Sequence, residues 1–185
     1  MKKEEVKCHA LMGGDSSEYR YLLTRDWSGG VHGSRGLMFI MLNPSTADAT
    51  QDDPTIRRCT NLARRDGYAG ILVVNLFAYR ATNPKDLQRV IDQHGIGWAI
   101  GSVNHYNIST LFKARDRGEA SFDVVCAWGA NELGGALRRA VKELYAYMPL
   151  DKEYPQCYGL SRAGWPRHPL YLPKDAQLSP YSYRA

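Results

Sequence analysis

The chain has 185 residues, 44% of them hydrophobic and 23% charged, which suits one domain with one core and does not point to disorder. Lysine and arginine total 24 against 19 acids, a formal charge of +5 that favours a polyanionic partner without requiring one. No apolar run approaches the roughly 20 residues that a membrane span needs.

The charged start Met1-Lys2-Lys3-Glu4-Glu5 is not followed by a signal-type apolar stretch, so a cytoplasmic protein without a membrane partner is expected. Tyr19-Arg20-Tyr21-Leu22-Leu23 alternates polar and apolar residues between glycine-rich turns and reads as part of an N-terminal β-hairpin. The continuous apolar run Gly36 to Leu42, ended by Asn43-Pro44, reads as a strand buried on both faces. Asp52-Asp53-Pro54 is a helix start, with an acidic cap and proline in the first turn. In that helix Ile56, Cys59 and Ala63 share a face, while Arg57 and Arg58 read as a solvated face. Ile71 to Val74 is a second buried strand, ending at Asn75. A second helix starts at Asn83-Pro84, and a third is expected over Trp98 to Leu111. Phe122 to Trp128 is a third strand, Asn131 to Tyr147 a fourth helix, and Gln156 to Leu160 a weaker fourth strand. Trp27 and Trp98 read as packing anchors. Trp165 lies close enough to His168 to line a pocket with it.

Alternating strands and helices imply a single α/β domain over residues 1–185, a three-layer α/β/α arrangement around a short four-stranded parallel sheet. Open parallel sheets bind ligands beyond the carboxyl ends of their strands. Those ends carry Asn43-Pro44-Ser45-Thr46-Ala47-Asp48, Asn75-Leu76-Phe77 and Gly129-Ala130-Asn131, and the tail adds Arg167-His168-Pro169. Asparagine presents an acceptor and two donors in one plane, which matches a nucleobase edge. Histidine near neutral pH suits the stabilisation of a developing anion. The four cysteines, Cys8, Cys59, Cys126 and Cys157, form no CxxC pair, so no metal cluster is expected, and Cys59 and Cys126 read as small buried hydrophobes.

At these residues the chain resembles the uracil-DNA glycosylase superfamily. Leu42-Asn43-Pro44 stands where that family's first motif follows the first buried strand, and Asn75 where its base-reading asparagine ends the next one. Trp128-Gly129 matches a later strand end, and His168-Pro169 followed by Leu170 matches the C-terminal histidine motif and its DNA wedge. The string Leu42 to Asp48, with Asn75 to Arg80, also resembles an uncharacterised bacterial and phage family, a domain of unknown function.

The resemblance implies a metal-independent, cofactor-free N-glycosidase excising a base, modified bases included, from DNA or a nucleotide. Asn43 would hold the attacking water, His168 would stabilise the departing base, and Asp48 would supply the base that an amide cannot. Asn75, Phe77 and Ser45 would surround the nucleobase. Arg80 and Arg167 would contact phosphate, and Leu170 or Leu172 would fill the space of a flipped nucleotide. Ser45 stands where the uracil-specific branch has a tyrosine, which opens the pocket to larger bases. The alternative is a non-catalytic nucleic-acid or nucleotide-binding module that keeps a relic of the pocket. A base-modifying transferase would need a cosubstrate loop, and no glycine-rich phosphate motif is present.

Overall fold

The computed structural model describes residues 5–30, 33–130, 133–146, 148 and 155–183. The three continuous apolar runs form the parallel strands β3 (Gly36–Met41), β4 (Gly70–Asn75) and β5 (Phe122–Cys126), with β3 in the middle. Every residue of β5 is buried, as a strand covered on both faces requires. A two-residue strand, β6 (Gln156–Cys157), adds parallel to β5.

The expected four-stranded parallel sheet is only the middle of a larger one. The hairpin of β1 (Lys7–Gly13) and β2 (Tyr19–Asp26) docks antiparallel on β4, and β7 (Ser179–Pro180) docks antiparallel on β6. The result is a seven-stranded mixed sheet ordered β1-β2-β4-β3-β5-β6-β7. The hairpin is therefore part of the sheet: it covers the edge of β4, which would otherwise present unpaired backbone groups.

Side-chain alternation divides the core in two. Leu37, Phe39 and Met41 of β3 cluster with Ile56, Cys59 and Ala63 of α1 (Pro54–Arg65). Met38 and Ile40 cluster instead with Ala99 of α3 (Ile96–Ile100), Ile108 of α4 (Asn104–Asp116) and Val141 of α5 (Gly134–Tyr145), as does Leu87 of α2 (Pro84–His94). The single helix expected over Trp98 to Leu111 is broken because Gly101 adopts φ +87°, a conformation that ends α3. Trp27 is buried and donates to Tyr68 O, whereas Trp98 is 54% exposed and anchors no core. Cys59 and Cys126 are fully buried among apolar residues, as their sequence context suggests.

One irregularity bears on the site. The β1–β2 register shifts between Leu11, opposite Leu22, and Met12, opposite Arg20, so Tyr21 is an extra residue in a bulge. The bulge resets the alternation and turns Arg20 toward α1, where it interacts with Asp53 and Cys59. Arg20 and Arg25 are 2% and 3% exposed, the most deeply buried cations described. Among the described residues no helix is long and apolar enough to cross a membrane.

Candidate functional site

From β3 the chain passes through α1 to β4 on one side, then crosses through α2 to α4 to reach β5 on the other. The topological switch point thus lies between the carboxyl ends of β3 and β5, where open α/β sheets leave a crevice. A cleft of about 660 Å3 opens at that point. Its walls come from the residues after β3 and β5, the start of α1, and the loop after β6.

Asn43 and His168, the first two residues expected at the centre, both line this cleft. Asn43 Nδ2 donates to Ala81 O at 2.7 Å and to Pro44 O at 2.9 Å. Two carbonyl partners fix which way the amide points, so Oδ1 is its open acceptor. His168 begins the 3-10 turn Pro169–Tyr171, and its Nδ1 accepts from Leu170 N at 3.4 Å. A neutral imidazole accepting at Nδ1 carries its proton on Nε2, which makes Nε2 a donor. Burial holds the His168 pKa below the ordinary histidine value, with the Asp53 charge opposing that shift. Gly129, at φ +78°, lets the two walls meet: a Cβ there would sit 3.2 Å from His168 Cβ.

Ser45, Arg167 and Leu170 also line the cleft, and Leu170 is 45% exposed at its rim. The remaining expected residues lie elsewhere. Asn75 is buried because β3 and β4 continue to pair beyond it, through Leu76 N to Met41 O and Phe77 N to Leu42 O, each at 2.9 Å. Its Oδ1 and Nδ2 have no protein partner, and it does not line the cleft. Phe77 is fully buried in the core, and Leu172 packs with the α1 cluster. Ala81 and Thr82, further along the same segment, reach the cleft instead. Asp48 Oδ1 accepts from Thr50 N, Thr50 Oγ1 and Gln51 N, bonds that hold its carboxyl below the usual carboxylate range. That carboxylate closes a turn outside the cleft and is a poor proton acceptor. Asn131 lies outside the described residues. Trp165 stacks on Tyr183 at 6.1 Å and stays out of the cleft lining.

Arg80, expected to meet phosphate, is engaged with the protein's own backbone. Its Nε, Nη2 and Nη1 donate to Ser45 O, Thr46 O and Ser17 O at 3.0, 3.3 and 3.2 Å. Arg20 Nη1 donates to Ala47 O at 2.9 Å and Arg25 Nη2 to Asp48 O at 2.6 Å. Arg25 Nε also bonds the Asp52 carboxylate at 2.8 Å. Four successive carbonyls, Ser45 to Asp48, are therefore held by three arginines, two from β2 and one from the segment after β4. Burial lowers the Arg20 pKa to about 10, so it stays charged at neutral pH.

Three cleft residues had no functional reading in the sequence. Asp53 reads simply as a cap, Trp128 as a strand residue, and Ser161 lies in a stretch without a motif. Trp128 is 1% exposed, with Nε1 unpartnered and its ring against Tyr181 at 5.8 Å. Only the strand-end position of Trp128-Gly129 pointed toward it. Among the described residues no group of three or more His, Cys, Asp or Glu side chains is placed to hold a metal ion.

Fold and site together define an α/β protein with a largely apolar cleft, carrying a few polar and charged side chains, at the switch point of its sheet. Residues 20–170 match the family described as Protein of unknown function (DUF1643), and the chain belongs to that family. No curated protein and no solved structure matches the chain.

Proposed function

We propose that the chain is an N-glycosidase that hydrolyses the bond between a nucleobase and its sugar, in DNA or in a nucleotide. The observation that carries this reading is the meeting of Asn43 and His168 in one cleft at the sheet's switch point. Its volume of about 660 Å3 falls within the range of small-ligand sites.

Base removal by water is largely dissociative: the enzyme steadies a departing base anion and positions a nucleophile. Asn43 Oδ1 is an acceptor suited to orient a water, because Nδ2 is already committed to two carbonyls. His168 Nε2–H suits the leaving base, and its lowered pKa keeps the ring a neutral donor at pH 7. Ser45 leaves room beside the base, the exposed Arg167 is free of side-chain bonds and suits a phosphate, and Leu170 suits the gap left by an extruded nucleotide. The resemblance of Leu42-Asn43-Pro44 and His168-Pro169 to uracil-DNA glycosylase motifs supports the same assignment.

A second reading is favoured by Asp48, whose carboxylate is tied into a turn: a nucleotide-binding module without turnover. The test is a base-release assay on oligonucleotides carrying uracil, thymine mismatches, hypoxanthine, xanthine or hydroxymethyluracil, and on the matching nucleotides. Wild type is run beside Asn43→Ala and His168→Ala. Release lost in both variants supports the hydrolase. Binding without release from any substrate moves the assignment to the binding module.

A further inference from the structure

Among the described residues, Asp53 is the sole carboxylate that lines the cleft. Its Oδ1 accepts from Ile56 N at 2.8 Å and caps α1, which holds the side chain in one orientation. That cap uses one oxygen, and no described group bonds the other. Asn43 presents a second open acceptor to the same cleft, since its Nδ2 is committed to Ala81 O and Pro44 O. A water molecule has two hydrogens to donate, and two fixed acceptors in a cleft suit it. The titratable groups that face Asp53 are the buried, charged guanidinium of Arg20 from β2 and, across the cleft, the neutral His168; Cys59 adjoins it on α1 itself.

We infer that Asp53 is the catalytic carboxylate of this cleft: with Asn43 it orients the attacking water, takes its proton, and faces the positive charge that develops on the sugar carbon. The inference rests on the hydrolase reading above. In the step, the water oxygen bonds to the sugar C1′ as the bond from C1′ to the base nitrogen breaks. The electron pair of that bond leaves with the base, whose anion is steadied by His168 Nε2–H. The water's proton passes to the unbonded oxygen of Asp53 and then to the base or to solvent, which regenerates the carboxylate. No oxidant or further reactant is needed.

The cap gives the experiment its control. Asparagine caps a helix as well as aspartate does, so Asp53→Asn keeps α1 intact while removing the charge. A purely structural Asp53 predicts at most a lower Tm, from removing the charge that faces Arg20, with base release by the folded protein unchanged. A catalytic one predicts base release slowed by about 100-fold or more at a temperature where the variant is fully folded. A binding measurement stands beside it, comparing oligonucleotides with a cationic pyrrolidine or a neutral tetrahydrofuran in place of the target sugar. Wild type is expected to prefer the cation, and Asp53→Asn to lose roughly tenfold or more of that preference.

Base release unimpaired in Asp53→Asn overturns the role of Asp53 and leaves the hydrolase reading standing. Equal affinity of wild type for the two sugars also overturns it. Cation preference that depends on Asp53, in a protein releasing no base, upholds the facing charge and overturns the hydrolysis.

Discussion

Gly129 and Gly164 share nearly the same backbone conformation, with φ of +78° and +79°, but different surroundings. An added Cβ at Gly164 meets nothing within 4 Å, whereas at Gly129 it lies 3.2 Å from His168 Cβ and 3.8 Å from His168 N. Alanine at either site adopts a left-handed conformation at a cost of about 1–2 kcal/mol. For a chain of this size each kcal/mol lowers Tm by roughly 2–4 °C. Gly164→Ala therefore reports the backbone term alone. Gly129→Ala adds a steric push on the His168 wall, with a further loss of about 1 kcal/mol. Thermal and urea unfolding of the pair measure the difference. The His168 ring resonances are expected to shift in Gly129→Ala and not in Gly164→Ala, and base release to fall only in the former. Equal losses of stability with equal His168 spectra would refute the close approach of the two cleft walls.

Asn43→Asp places carboxylate oxygens against the carbonyls of Ala81 and Pro44, so a loss of about 1–3 kcal/mol is expected at neutral pH. Because the carboxyl is favoured there only when protonated, the loss shrinks as pH falls, which urea titrations at two pH values detect. Arg80→Ala strips Ser45, Thr46 and Ser17 of a donor, with an expected loss of about 1–3 kcal/mol. Amide exchange should rise in the 45–48 loop, and unchanged exchange would show that the arginines do not hold it. His168 has a folded-state pKa lowered by burial, so the folded state resists its protonation. Stability is then full above the unfolded value of about 6.5 and declines as pH falls below it. His168→Gln should flatten that decline, leaving the smaller slope of His105, whose pKa is also lowered by burial.

The parts of the fold legible in the sequence are those where one physical signal acts alone. Unbroken apolar runs marked β3, β4 and β5, and Asp53-Pro54 marked the start of α1 within a residue. The rest depends on competition between signals. Tyr19 to Leu23 reads as a simple alternating strand, yet Arg20 and Arg25 are both buried because loop carbonyls accept from them and a bulge turns Arg20 inward. Asn75 interrupts the apolar run, but Leu76 and Phe77 resume it and backbone pairing runs on to Phe77, which moves the true strand end past Asn75. Of the candidate site, Asn43 was legible from its place at the end of an apolar strand, and His168 from the motif it forms with Pro169. Asp53 was hidden by its own capping role: one side chain satisfies the helix with one oxygen and leaves the other for the cleft.

The arginine-held carbonyls also bear on the order in which the protein assembles. Ala47 lies 27 residues from Arg20, and Ser45 lies 35 from Arg80, so the bonds that hold these carbonyls are all long-range. A chain in which β3, β4 and β5 had already paired would have its apolar centre, but the Ala47 and Asp48 end of this segment would stay unheld until the hairpin arrived. Such late, long-range closure places the wall among the last parts to order during folding. The same hierarchy makes it one of the first to open in the native state, with the central sheet intact. Detaching β2 would therefore release the Ala47 and Asp48 carbonyls well before it unfolded the protein.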